Sequence, residues 1–309
     1  MARLAYLGSP PAAVAPLRAL VAAGHDIALV VSRADTRRGR GKEHTPSAVK
    51  QAAIDLGLPV TDALDDVVDV GAELAVVVAY GRIVPQRLLD VVPMVNVHFS
   101  LLPRWRGAAP VERAILAGDD VSGVCVMRLE AGLDTGPVLA SRRLAIDGDE
   151  HASALVERLS AAGAELLVDT LAGAVAALGP GRPQEGEPTY AAKLEPDEFR
   201  LAWELPAEAL HRLVRLDRAW TTFRGERLRV LDARPVPDAD STDPGGTGAG
   251  GPPGTIGGDA GDDVVRCGSG SLELVDVQPA GKRPMAAADW RRGVRLQPGE
   301  VLGEPDPGR

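Results

Sequence analysis

The chain has 309 residues, a net charge of -9, and a composition that is 45% hydrophobic but only 3% aromatic. At roughly 100 to 200 residues per domain this length fits two domains, with cores resting on Ala, Val and Leu. The acidic balance argues against wholesale adhesion to nucleic acid, and no apolar run approaches the roughly 20 residues of a membrane span. The N-terminus lacks the charged start, apolar centre and cleavage site of a secretion signal, so a cytoplasmic location is expected. Cys125 and Cys267 stand far apart without a CxxC partner and suggest neither a disulfide framework nor a zinc site.

"ARLAYLG" (2–8) reads as a buried strand, and 10–25 as a helix begun by proline and ended by Gly24. "DIALVVS" (26–32) is a second apolar strand, followed by a basic loop. The helix expected over 45–57 has Thr45 as its cap, Pro46 at its first position and Gly57 as its stop. A third strand (72–81), a short helix (85–93) and a fourth strand, "MVNVHFS" (94–100), follow. Apolar strands without polar alternation, separated by helices, predict a parallel sheet covered on both faces. After a helix over 107–119 come two longer strands within 122–146, joined through "EAGLDTG", and a long helix over 151–178, broken near Gly163 or Gly173.

From about residue 180 the texture changes. A polar, proline-rich connection (179–198) leads to a helix at 207–216 and then to short strand-like pieces, the pattern of a small barrel or sandwich. Residues 237–262 are so rich in glycine and proline that a flexible loop is expected. No GK[ST] follows them, so they are not read as a phosphate loop. The first turn, "GSPPAAV" (8–14), lacks GxGxxG, which argues against a dinucleotide.

Charge is unevenly spread. Between 33 and 50, Arg33, Arg37, Arg38, Arg40, Lys42 and Lys50 face only Asp35 and Glu43. Between 210 and 235, seven arginines face Asp217, Glu226 and Asp232. Such patches either hold a polyanion locally or are solvated surface. Arg104, Trp105 and Arg106 either stack a base or clamp a phosphate, or else cover the sheet edge. His25, His44, His151 and His211 lack metal-ligand spacing and read as surface or cap residues, so no metal is expected.

Asn96 and His98 sit two apart in "NVHFSLLPRWRGAAP" (96–110), so a strand points both to one face. Open parallel sheets bind ligands beyond the carboxyl ends of their strands. Asp134, in the glycine-bracketed "GLDTG", can bring a carboxylate to the same crevice. An amide donor, a group titrating near neutrality and an acid are the set needed when an amine attacks a formyl or acyl carbonyl. Each donor to the developing oxyanion contributes roughly 2.7 to 4 kcal/mol, and an imidazole beside a carboxylate manages the proton transfers. A structural, hydrogen-bonded strand histidine remains the competing interpretation.

"NVHFSLLPRWRGAAP", "GLDTGPVL", "VVVAYG" (76–81), "RGRGKEHTPSAVK" (38–50), "TTFRGERL" (221–228) and "QPAGKRPMAAADWRRG" (278–293) together resemble the methionyl-tRNA formyltransferase family over nearly the whole chain. The resemblance implies a Rossmann-like parallel-sheet formyltransferase domain (1–182), a linker (183–202) and an OB-fold-like β-barrel domain that contacts tRNA (203–305). It makes Asn96, His98 and Asp134 the catalytic trio and Ser100, Leu101, Leu102 and Pro103 the stretch that binds folate. The co-substrate would be 10-formyltetrahydrofolate and the acceptor initiator methionyl-tRNA, held partly by Arg37, Arg38, Arg40 and Lys42. No membrane or protein partner is implied, and the chain is expected to be a monomer.

The chain departs from the family at Phe99, where a small residue is common, and at "RLDRAW" (215–220), where many members have a longer proline- and tryptophan-containing stretch. The latter leaves open the same chemistry on an amino sugar or another small amine. A non-catalytic RNA-binding protein is a further alternative, against which the complete trio stands.

Overall fold

The computed structural model describes residues 1–37, 44–236, 251–257, 263–297 and 299–303. The chain divides into two compact units: Met1–Ala114, Asp119–Asp147 and Ala154–Lys193 form the first, and Ile115–Gly118, Gly148–Ser153 and Leu194 onward form the second. Among the described residues no helix is long and apolar enough to cross a membrane.

The first unit starts with strand β1 (Arg3–Gly8), a 3-10 turn at Pro11–Ala13 and helix α1 (Val14–Ala22), then β2 (Asp26–Val31). Two-residue strands β3 (Thr36–Arg37) and β4 (His44–Thr45) pair antiparallel before helix α2 (Ala48–Asp55). The cap of α2 is Ser47, not the expected Thr45. Ser47 Oγ accepts from the Lys50 amide at 2.9 Å, while Thr45 is drawn into the pairing with Thr36. Gly57 ends the segment at φ +68°, a left-handed conformation that glycine adopts without a Cβ penalty.

Strand β5 (Val60–Thr61), β6 (Leu74–Val78), helix α3 (Gln86–Leu89) and β7 (Met94–His98) follow. After β8 (Arg106–Gly107) and helix α4 (Pro110–Ala117) come β9 (Val121–Arg128), β10 (Val138–Ala145) and helix α5 (Ala152–Thr170).

The main sheet has seven strands in the order β10-β9-β7-β6-β1-β2-β5. It is mixed, and this corrects the all-parallel expectation. The five strands from β7 to β5 are parallel, whereas β9 runs antiparallel to β7 and β10 antiparallel to β9. The short 129–137 connection has no room for the crossover that a parallel pair needs. One face of the sheet carries Leu7, Val31, Val77 and Met94, packed with Tyr80, Leu88 and Val92.

Helix α5 ends at Thr170 rather than near 178, and a separate 3-10 turn occupies Val175–Ala177. Gly163 does not break it. That glycine faces Val97 and Val124, where a Cβ would come within 2.9 Å and 3.2 Å of their methyls. The proline-rich segment that follows is not a free connection throughout, because strand β11 (Tyr190–Ala191) pairs in parallel with β8.

The second unit holds helix α6 (Ala207–Val214) and strands β12 (Trp220–Phe223), β13 (Glu226–Val236), β14 (Val264–Arg266), β15 (Ser271–Pro279) and β16 (Met285–Ala286), closed by helix α7 (Ala287–Val294). These form a five-stranded antiparallel sheet ordered β12-β13-β15-β14, with β16 beside β15. Phe223 and Trp290 meet edge-on with ring centroids 5.0 Å apart.

Of the glycine-rich run expected to be a flexible loop, 237–250 and 258–262 lie outside the described residues. Residues 251–257 depart from that expectation. Thr255 bridges to Val301, Ile256 bridges to Val265, and Ile256 is buried. Buried Thr255 and Ile256, with backbone hydrogen bonds to Arg266, Glu300 and Val264, anchor the segment despite its glycines.

Candidate active site

Strand β7 alternates as its pleat demands, with Met94, Asn96 and His98 on one face and Val95 and Val97 on the other. Toward the carboxyl end that face passes from the apolar core at Met94 to two polar side chains. Asn96 is 9% and His98 6% exposed, so both are held away from bulk water.

His98 Nε2 lies 2.9 Å from the Trp105 carbonyl oxygen. A carbonyl only accepts, so Nε2 carries a proton and donates it, leaving Nδ1 as the nitrogen that can gain or lose one. Nδ1 stands 3.7 Å from Asp134 Oδ2. That is too long for a direct hydrogen bond but close enough for the carboxylate to stabilise an imidazolium. Asp134 adopts φ +49°, a left-handed conformation that a short polar side chain tolerates. Its Oδ2 also accepts from the Gly107 amide at 2.8 Å. Gly107 itself sits at φ +120°, and a Cβ there would lie 2.8 Å from the Ala191 carbonyl oxygen.

The structure therefore brings His98 and Asp134 together and puts Asn96 on the same strand face. Cys125 lies opposite His98 in the β7–β9 register. Burial pushes its thiol up to about 11, so no thiolate is available as a nucleophile there.

The remaining expected site residues fall into two groups. Ser100 is buried and its hydroxyl donates to the Arg104 carbonyl at 2.6 Å, closing the loop after β7. Leu101, Leu102 and Pro103 are half-buried and form an apolar edge next to His98 in sequence. Leu101 packs so closely on Gly123 that a Cβ there would come within 2.5 Å of Leu101 Cδ2. Arg37 belongs to β3, whereas Arg38, Arg40 and Lys42 lie outside the described residues. Lys50, from the same basic run, is paired with Asp35 at 2.7 Å.

Arg104 and Arg106 both have internal partners. Arg104 donates to Asp119 at 2.5 and 2.8 Å and lies 4.5 Å from the Trp105 ring centroid. Burial pulls the Asp119 carboxyl upward, but hydrogen bonds from Arg104 and the Trp105 indole outweigh it and hold the group below its ordinary value. Arg106 donates through Nε and Nη2 to Gln184 Oε1 at 3.0 and 2.7 Å. Of the histidines expected at the surface, His211 is buried at 6% exposure on the inner side of α6, and burial lowers its pKa.

Sequence reasoning missed three contributors: the Trp105 carbonyl, Thr189 and Gln184. Thr189 Oγ1 accepts from the Trp105 amide at 2.8 Å, from 84 positions away. Gln184 Nε2 donates to the backbone carbonyls of Asp134 and Gly136, each at 2.8 Å. A side chain that bonds a distant backbone leaves no periodic mark in the sequence.

Known proteins share this arrangement's framework. The formyl transferase family model matches residues 2–171, and the formyl transferase C-terminal domain model matches 193–295. Over 314 residues the chain is 44% identical to a methionyl-tRNA formyltransferase of Roseobacter denitrificans, covering 97% of this chain and 98% of that one. Its fold is similar to HypX from Aquifex aeolicus in complex with tetrahydrofolic acid, with a TM-score of 0.64 and 15% identity over 97% of this chain and 48% of that one. It is also similar to a methionyl-tRNA formyltransferase from Clostridium thermocellum, with a TM-score of 0.54 and 14% identity over 76% of this chain and 93% of that one.

Proposed function

This chain belongs to the methionyl-tRNA formyltransferase family, and from that membership we propose its reaction. It transfers the formyl group of 10-formyltetrahydrofolate to the free amino group of methionine on initiator tRNA. The products are formylmethionyl-tRNA, used to start translation, and tetrahydrofolate. The observation that carries this reading is the approach of Asp134 Oδ2 to within 3.7 Å of Nδ1 of the buried His98, with Asn96 on the same strand face.

The folate co-substrate supplies a one-carbon unit on a nitrogen leaving group. When the amine adds to the formyl carbon, charge gathers on the formyl oxygen. Asn96 donates to that oxygen, a contribution of about 2.7 to 4 kcal/mol by analogy with single oxyanion donors. His98, with Nε2 fixed on the Trp105 carbonyl, uses Nδ1 to take the proton leaving the attacking nitrogen and to return it to the departing one. Asp134 steadies the imidazolium between those two transfers. Burial of Asn96 and His98 strengthens these interactions by excluding water. No enzyme nucleophile is needed, which agrees with the protonated state of Cys125.

The half-buried edge of Leu101, Leu102 and Pro103, with Ser100 behind it, suits a flat apolar ring system and supports its assignment to folate. Arg37, Arg38, Arg40 and Lys42 would meet tRNA phosphates. In the second unit, Arg200 and Arg227 lie 5.7 Å and 4.2 Å from the Trp220 ring centroid and are exposed, an arrangement suited to an RNA backbone. We read 1–182 as the formyltransferase domain, 183–202 as the link and 203–305 as an OB-like, tRNA-contacting domain. The same reading makes the protein a cytoplasmic monomer.

The test is direct. Purified protein is incubated with 10-formyltetrahydrofolate and either methionyl-tRNA or an amino sugar nucleotide. Formylated methionyl-tRNA supports the reading, whereas product from the amino sugar alone overturns it.

A further inference from the structure

The two family models leave residues 172–192 uncovered, since one stops at 171 and the other begins at 193. Within that gap lies a segment whose hydrogen bonds converge on the His98–Asp134 pair. Gln184 uses both ends of its amide. Its Nε2 donates to the carbonyls of Asp134 and Gly136 at 2.8 Å each, and its Oε1 accepts twice from Arg106. Arg106 precedes Gly107, whose amide donates to Asp134 Oδ2.

Farther along, Thr189 brackets the loop that carries the histidine's partner. The Thr189 amide donates to the Pro103 carbonyl at 3.2 Å, its Oγ1 accepts from the Trp105 amide, and its carbonyl accepts from the Arg106 amide at 2.8 Å. The Ala191 carbonyl accepts from the Ala109 amide at 3.1 Å. These bonds hold Trp105 at φ +62° and Asp134 at φ +49°, conformations that neither residue favours on its own.

Taking Asn96, His98 and Asp134 as the catalytic groups, we propose that residues 184–191 are a positioning strap of the active site. Gln184 sets Asp134, and Thr189 sets the Trp105 carbonyl that orients His98. Neither strap residue touches a reacting atom. Each acts through the backbone of the residue it fixes, so losing it degrades the chemical step and leaves substrate binding in place. A misplacement of about 1 Å costs on the order of 10²-fold in rate.

Gln184→Glu is the discriminating variant. It can still accept from Arg106, and so still tethers the segment, but it has lost both donors to the Asp134 and Gly136 carbonyls. The expected result is a kcat about 10²-fold lower, KM values for folate and methionyl-tRNA unchanged, and faster hydrogen exchange at the Gly107 amide. Thr189→Val should likewise lower kcat, and Thr189→Ser should restore it. Wild-type kcat in Gln184→Glu, or in Thr189→Val, would overturn the proposal. So would a loss that appears only as raised KM and a lowered melting temperature, the mark of a purely structural tether. Exchange at Gly107 needs no turnover. If the wild-type protein formylates no methionyl-tRNA, the functional reading fails, and the strap is then judged on exchange alone: unaltered Gly107 protection in Gln184→Glu refutes it.

Discussion

Gly163→Ala tests whether packing against β7 or helix propensity governs the middle of α5. In an open helix this substitution stabilises by about 1 kcal/mol. Here the new Cβ would stand 2.9 Å from Val97 Cγ1 and 3.2 Å from Val124 Cγ2, well inside the roughly 3.5–4.0 Å of a relaxed carbon contact. Both neighbours are buried, at 3% and 0% exposure, and both are β-branched and stiff at χ1. Overpacking of this kind costs about 1–3 kcal/mol. Set against the propensity gain, the net is a destabilisation of about 1 kcal/mol, or roughly 2–4 °C in Tm for a unit of this size. Val97 lies between Asn96 and His98, so displacing it should also slow formyl transfer. Differential scanning calorimetry of Gly163→Ala, Val97→Ala and the double variant measures the coupling, which should be favourable because truncating Val97 makes room for the new methyl at 163. A Gly163→Ala protein melting at or above wild type would show that the close approach imposes no constraint.

Two further predictions concern charge. A hydrogen bond that His151 donates to Asp217 raises the His151 pKa above 6.5, with burial opposing it and Asp232 adding to it. The resulting stability is fully present below 6.5 and is lost as pH rises through the folded-state value. The melting-temperature gap between wild type and His151→Gln should therefore be widest in acid and close toward alkaline pH; a gap that widens with pH contradicts the pairing. For RNA, replacing Arg38 and Arg40 with Ala should weaken methionyl-tRNA binding and reduce the log–log salt slope by roughly 0.7 to 0.9 for each phosphate that the protein no longer neutralises. An unchanged slope in a filter-binding titration would remove those residues from the interface.

What was legible in the sequence is what local periodicity encodes. Asn96 and His98 could be placed on one face because a strand repeats every two residues, and Asp134 stood out because glycines bracket it. Apolar strands divided by helices announced the α/β unit, yet the antiparallel pair β9–β10 hid within that texture. Its clue was Arg142 and Arg143 in a strand whose side chains alternate in burial, the mark of an edge rather than a covered centre. Thr45 and Ser47 are both credible caps, and only the β3–β4 pairing decides between them. Thr255 and Ile256 outweigh the neighbouring glycines because they are buried and bridged to Val301 and Val265, which composition does not record. Gln184 and Thr189 look like part of a connection in the sequence because their partners are backbone groups dozens of residues away.

The central claim is that Asp134 and His98 act as one acid–base unit on the formyl transfer itself. The most direct measurement is the single-turnover rate of Asp134→Asn with saturating 10-formyltetrahydrofolate and methionyl-tRNA. Asparagine keeps the shape and can still accept from the Gly107 amide, but it removes the charge facing Nδ1. A rate lower by about 10² to 10⁴-fold, with methionyl-tRNA affinity unchanged, is the predicted result; a rate close to wild type would contradict the account.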